Sequence, residues 1–144
     1  MSTTSGTGQR QLSVKVFTPE GTVHDGRVRM VIAPSVEGEI GILPRHMPVV
    51  ALLKPGETRL RIDDGDDVLL ATTAGYMSVE DDNVVILVEQ AEHHDRIDRA
   101  RAEAALNQAR EDLTAAGDDE VLVHHARAAI HRAENRLKVV DRPR

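Results

Sequence analysis

Four charged residues near the C-terminal end of this 144-residue chain have the types and spacing to hold a polyanion. Asp98 and Arg101 stand three apart, and Arg132 and Arg136 stand four apart, so each pair shares one face of a helix. If the chain folds back near Gly117, residue n faces roughly 234 − n, counting helical rise on both arms. Position 98 then lies opposite 136, and 102 opposite 132. Asp98, Arg101, Arg132 and Arg136 converge at one end of such a hairpin. Three guanidiniums around one carboxylate carry excess positive charge and planar donors that match phosphate oxygens. The plainer alternative is an ion pair between helices, Asp98 with Arg136, contributing about 0–1 kcal/mol where exposed. Spacing by itself favours the plainer one.

No catalytic constellation accompanies this cluster. The chain has no cysteine, no Walker glycine loop, no G-x-S-x-G and no H-E-x-x-H, so a non-catalytic role is expected. Seven histidines invite a metal reading. His93 and His94 precede the first helical segment, whereas His124 and His125 fall near the start of the second. The hairpin geometry keeps the pairs apart, and adjacent helical side chains point about 100° away from each other. Solvated surface histidines, and no metal, are therefore expected. The acidic run from Asp63 to Asp67 lacks the order of an EF-hand loop and reads as a Gly-centred hairpin turn.

A second constellation is the segment 37–48, EGEIGILPRHMP, with two glycines, two prolines, two acids and one histidine. Pro44 and Pro48 cannot donate to a ladder, and Gly38 and Gly41 weaken a strand interior, so the segment must bend and expose part of itself. A bent apolar loop bearing Glu39 and His46 suits a docking surface better than a catalytic site.

The elements that position these groups fall into two halves. From Leu12 to about Glu89 the chain alternates with period two: Leu12, Val14 and Val16; Val28, Met30 and Ile32; Leu60 and Ile62. Turn clusters containing Gly, Pro, Asp and Asn separate the runs about every 8–12 residues, which predicts an all-β sandwich or barrel. After Glu92 the period changes. Residues 96–115 are rich in alanine and leucine and hold neither Gly nor Pro, a composition that favours helix. Gly117 stops this helix, and Asp118 with Asp119 can cap a second one reaching about Val140. Leu122, Ala126, Ala129, Ala133, Leu137 and Val140 would form one apolar face of the second helix. Ala102, Ala105, Leu106, Ala109 and Leu113 would face them from the first. The expected organisation is a short N-terminal tail over 1–11, a β-sandwich over 12–93 and an antiparallel helical hairpin over 94–144. A seam made mostly of alanine buries little area, so the hairpin must lean on the sandwich or on another protein.

Charge narrows the partners. Residues 1–93 carry 8 Lys and Arg against 14 Asp and Glu, whereas residues 94–144 carry 10 of each. A formal charge of −6, with Tyr76 and Phe17 the sole aromatic residues, argues against nucleic acid. The N-terminus has neither the basic nor the apolar region of a signal peptide, and no run approaches the roughly 20 apolar residues of a membrane helix. Absence of cysteine fits a reducing cytoplasm.

The motifs, taken together, resemble the epsilon subunit of bacterial F-type ATP synthases, equivalent to the mitochondrial delta subunit. The resemblance runs from about Leu12 to Val140. It is carried by VFTPEG at 16–21, GEIGILPRHMP at 38–48, LKPG at 53–56, AGY at 74–76, IDRARA at 97–102 and RAENRL at 132–137. It implies a rotor subunit of the central stalk, non-catalytic, whose sandwich binds gamma and sits on the c-ring. Glu39 and His46 would meet the polar loops of the ring. It implies a hairpin that extends along gamma toward the alpha and beta subunits and inhibits ATP hydrolysis. Regulatory ATP, the one ligand implied, would bind the folded hairpin through Ile97, Asp98, Arg101, Ala102, Arg132 and Arg136. The location implied is peripheral, on the cytoplasmic face of the cell membrane, with membrane association only through the complex. Gln108 departs from the family pattern where some nucleotide-binding members carry another arginine, and Ala74-Gly75 replaces a Gly-Gly pair. The alternative reading is an autonomous β-sandwich binding module with a helical tail.

Overall fold

The computed structural model describes residues 10–62 and 67–142. Ten short strands come first: β1 (Leu12–Thr18), β2 (Gly21–Val28), β3 (Met30–Ser35), β4 (Gly38–Ile42), β5 (Val49–Leu53), β6 (Gly56–Arg61), β7 (Asp67–Thr72), β8 (Gly75–Glu80), β9 (Asn83–Val88) and β10 (Ala91–His93). A single 3-10 turn, His94–Arg96, leads into α1 (Arg99–Ala116) and α2 (Glu120–Val140). The expected sandwich followed by a helical hairpin is what the chain forms. Most of the acidic 63–67 turn lies outside the described residues. Asp67, its last member, opens β7 opposite Arg61.

The strands follow the order β10-β7-β6-β3-β5-β8-β9-β1-β2, with β4 added to β3 as a hairpin arm. All pairings are antiparallel except β1 with β9. β3 joins the two layers: it pairs β6 through Met30, Val31 and Ile32, and meets β5 only at Ser35. Period-two patterning sets the core. Val16, Ile86 and Met77 sit opposite one another on β1, β9 and β8, and all three are fully buried. Leu12, Val14, Val28, Val31, Ile42, Leu60 and Leu70 close the same cluster. Gly75 has a specific steric reason to be glycine. A Cβ there would fall 1.9 Å from the Leu87 carbonyl oxygen.

One alternation differs from expectation. Val28, Met30 and Ile32 do not share a face: Val28 is buried, and the next buried positions are Val31 and Ala33. The chain bends at Arg29 between β2 and β3, which shifts the side-chain phase by one residue.

Asp98 caps α1 by accepting from the Arg101 N–H, and Asp119 caps α2 by accepting from the Val121 and Leu122 N–H groups. The hairpin seam is alanine spaced by sevens: Ala102, Ala109 and Ala116 on α1, Ala126 and Ala133 on α2, all buried. Ala105 and Leu122, expected in the seam, are exposed, because the close alanine contact narrows it to a two-helix stripe. The far end of α2 leans on the sandwich. Val139 packs with Leu69, Ala71 and Ile97 in a small second core, and Val140 borders it.

Candidate functional site

The predicted hairpin cluster comes together in part. Ile97, Asp98, Arg101, Ala102 and Arg136 line one open cleft of about 800 Å³ between α1, β10 and the start of β2. Arg132 does not join them. It lies one turn back along the same face of α2, beside Pro55, Gln90 and Asn135, in a smaller pocket that Arg136 also lines. The facing rule brings Asp98 and Arg136 to one cleft, while Arg132 sits beside Asn135, whose Nδ2 donates to the Gly56 carbonyl at 2.8 Å. The expected Asp98–Arg136 pair is not formed. Asp98 is spent on the helix cap, and Arg136 Nε donates to Glu92 Oε1 at 2.5 Å and its Nη2 to Gln90 Oε1 at 3.5 Å. Arg101 and Arg132 make no ion pair among the described residues. Gln108 lies outside the cleft and donates along α1 to Asp112. Arg96 lines the cleft as well, so the cleft can offer two guanidiniums without an ion pair among the described residues, Arg96 and Arg101, and a third that an anion must take from Glu92.

Segment 37–48 is only partly a loop. Glu39 sits exposed within β4, opposite Pro34, and the irregular chain begins at Leu43. His46 lies past the end of β4, its N–H bonded to the Leu43 carbonyl. The two residues therefore stand at opposite ends of the strand, on the order of 13 Å apart along it. Arg45 adopts the left-handed region at φ 69°. Asp82 holds it there, accepting from the Arg45 N–H at 2.6 Å and from Arg10 Nε at 2.8 Å. That backbone bond, with Arg10 assisting, keeps the Asp82 carboxyl below its ordinary pKa. Met47, 76% exposed, tips the loop.

A third surface has no motif to announce it. Leu52, Tyr76 and Leu87 lie directly opposite one another on β5, β8 and β9, and each is about half exposed. Phe17 extends the row onto β1, and Val36, whose N–H donates to the Leu52 carbonyl, lies at its other end. Val50, 72% exposed, stands one step along the same face. A contiguous apolar row on an outer sheet face marks a place where another protein sits. Its signal in the sequence was apolar residues at the solvent phase of alternating strands.

The histidines divide. His124 and His125 are exposed on α2, as expected. His94 is not solvated: it is buried with Nδ1 bonded to the Leu69 carbonyl at 3.2 Å, whereas His93 is half-buried and lines the open cleft. They precede α1 rather than belonging to it, so helical geometry does not separate them. His24 lies beside His93, ring centroids 6.4 Å apart. Burial first, then neighbouring positive charge, lowers the pKa of both His24 and His93.

Comparison with known proteins places this architecture. Residues 11–94 match the family described as ATP synthase, Delta/Epsilon chain, beta-sandwich domain. Residues 95–141 match the ATP synthase, Delta/Epsilon chain, long alpha-helix domain. The ATP synthase epsilon chain of an Exiguobacterium species is 44% identical over 128 residues, covering 89% of this chain and 94% of that one. That of Halalkalibacterium halodurans is 43% identical, covering 91% and 98%. A chain in the Euglena gracilis mitochondrial ATP synthase superposes with a TM-score of 0.76 at 23% identity, over 92% of this chain and 84% of that one. The last likeness speaks for the fold.

Proposed function

Because the chain belongs to the ATP synthase delta/epsilon family, we propose that it serves as the central-stalk rotor subunit that links the c-ring to gamma. The observation that supports this reading best is the division of the sandwich into two surfaces. One is the apolar row Leu52–Tyr76–Leu87, suited to a permanent partner such as gamma. The other is the polar edge bearing Glu39, His46 and Met47, suited to the polar loops of the ring. Neither surface holds a nucleophile or an acid–base pair, so the subunit transmits torque and leaves the chemistry to the alpha and beta subunits. No helix among the described residues is long and apolar enough to cross a membrane. In this reading the chain reaches the cytoplasmic face of the membrane through the complex.

The Glu39→Ala/His46→Ala double variant tests the ring contact. Both side chains stand outside the core, so the isolated chain should keep its melting temperature. Proton-driven ATP synthesis in the assembled enzyme should fall several-fold, the loss of two polar contacts at about 1 kcal/mol each. Normal coupling and assembly would reject the role.

ATP is the proposed regulatory ligand of the cleft, with its phosphates at Arg101 and Arg136 and Ile97, Asp98 and Ala102 at the wall. Calorimetry of the isolated chain should show weak binding, because Arg136 must first give up Glu92 and Gln108 supplies no further cation. Arg101→Ala should weaken it at least about tenfold, the loss of one charge-assisted contact. Arg132→Ala, outside the cleft but one turn from Arg136, should weaken it less. No heat at millimolar ATP would reduce the arginines to structural ion pairs.

A further inference from the structure

The joint between sandwich and hairpin contains a ligand set that rotor function does not require. His93 ends β10, and His94 and Asp95 form the 3-10 turn that follows. One donor atom from each lies within 4.8 Å of the other two. The protonation logic at His94 is constrained. A carbonyl oxygen only accepts, so Nδ1, 3.2 Å from the Leu69 carbonyl, carries the hydrogen. In the neutral ring Nε2 then presents a lone pair, and it lies 2.9 Å from Asp95 Oδ1, another acceptor. The atom is buried and makes no hydrogen bond. An imidazole lone pair and a carboxylate this close attract a cation, either a proton on Nε2 or a metal ion. His24 Nε2, on the neighbouring strand β2, is also buried without a hydrogen-bond partner, and its ring stands 6.4 Å from that of His93.

We propose that His93, His94 and Asp95 bind a divalent transition ion of the zinc class, with His24 beside the site and a position left open to water. Two imidazoles with one carboxylate are the borderline donor set such ions prefer over calcium or magnesium. The bond from His94 Nδ1 to the Leu69 carbonyl orients its ring and leaves Nε2 as the ligand atom, the usual arrangement around a zinc-bound histidine. Donor atoms lie about 2.0–2.2 Å from zinc, so the set must close by roughly 1 Å on binding. An entry path exists because His93 lines the open cleft beside α1. Arg96, the next residue along, opposes the ion's charge and weakens the site. All three core ligands lie on the strap that leads from β10 into α1, so a bound ion stiffens the joint on which the hairpin swings.

Titration calorimetry of the tag-free full chain with Zn2+ at neutral pH tests this, alongside histidine ring NMR. The expected result is one site of micromolar affinity, with the His93 and His94 ring signals shifted. His93→Ala and Asp95→Asn should each weaken it at least about tenfold. His94→Ala is avoided because the ring is buried. A variant lacking His124, His125 and His131 should bind as tightly as the parent chain. Absence of binding at millimolar Zn2+, equal affinity in His93→Ala and Asp95→Asn, or loss of the site in the helix variant would each overturn the proposal.

Discussion

Truncating Tyr76 and Leu87 together to alanine should lower the affinity of the chain for gamma about a hundredfold. These residues lie at the centre of the Leu52–Tyr76–Leu87 row, flanked by Phe17 and Val50. Interface energy concentrates in a few central, aromatic or large apolar anchors, each of which costs about 2 kcal/mol or more when truncated. Two such losses, taken as less than additive, give the stated factor. The fold should survive, because both side chains point away from a core built by Val16, Ile86 and Met77 on the opposite face. Pull-down and calorimetry with purified gamma measure the affinity, and circular dichroism checks the fold. Val121→Ser with Leu122→Ser removes two exposed apolar residues of α2 and should leave docking to the folded form unchanged. An affinity within about threefold of the parent for the Tyr76 and Leu87 variant would move the gamma contact elsewhere.

How legible these surfaces were follows from which interactions are local. Strand alternation and the change of period after Glu92 are local, and they specify a sandwich followed by a hairpin. The Asp119 cap is local too. The phase slip at Arg29 was illegible because one bent residue reverses every side chain that follows, and neither Arg29 nor its neighbours is a glycine or proline. The arginine cluster was half legible. Spacing along each helix puts Asp98 near Arg101, but the rotation of α2 depends on Asn135 meeting Gly56, 79 residues away. Arg136 meets Glu92 across the sheet edge, and Arg132, one turn back, stays outside the cleft. The burial of His94 was illegible because it rests on Leu69, a contact made across the sheet. The Asp82 bond to Arg45 likewise joins positions 37 apart.

Ending the chain at His93 should raise ATP hydrolysis by the assembled enzyme several-fold while preserving assembly and synthesis. The cut keeps β10, whose residues 91–93 pair with 72–70 of β7 and close that sheet edge. It removes the cationic stretch from Arg127 to Arg142, the part suited to acidic surfaces on the catalytic subunits. In the structure the hairpin is docked, so inhibition requires a second, extended arrangement, and the energetics permit one. Docking rests on Leu69, Ile97 and Val139, at roughly 1.5–3 kcal/mol for each fully buried branched side chain. To these are added the Asn135 bonds and two ion pairs, Arg136–Glu92 and Arg142–Glu57. The ordering of the side chains and joint that meet there offsets much of that sum, leaving two arrangements within reach of a bound ligand. ATP held in the folded cleft at a hundredfold excess over its Kd would add about 2.7 kcal/mol to the docked side. A substitution that undocks the hairpin without removing it must therefore act opposite to truncation. Val139→Asp places a carboxylate at a site only 1% exposed, at a cost of several kcal/mol unless the helix leaves. Hydrolysis should fall in this variant and rise in the truncation, each measured in reconstituted enzyme at matched subunit content. The same sign in both would show that the hairpin only stabilises the sandwich, and no change in either would remove it from the control of hydrolysis.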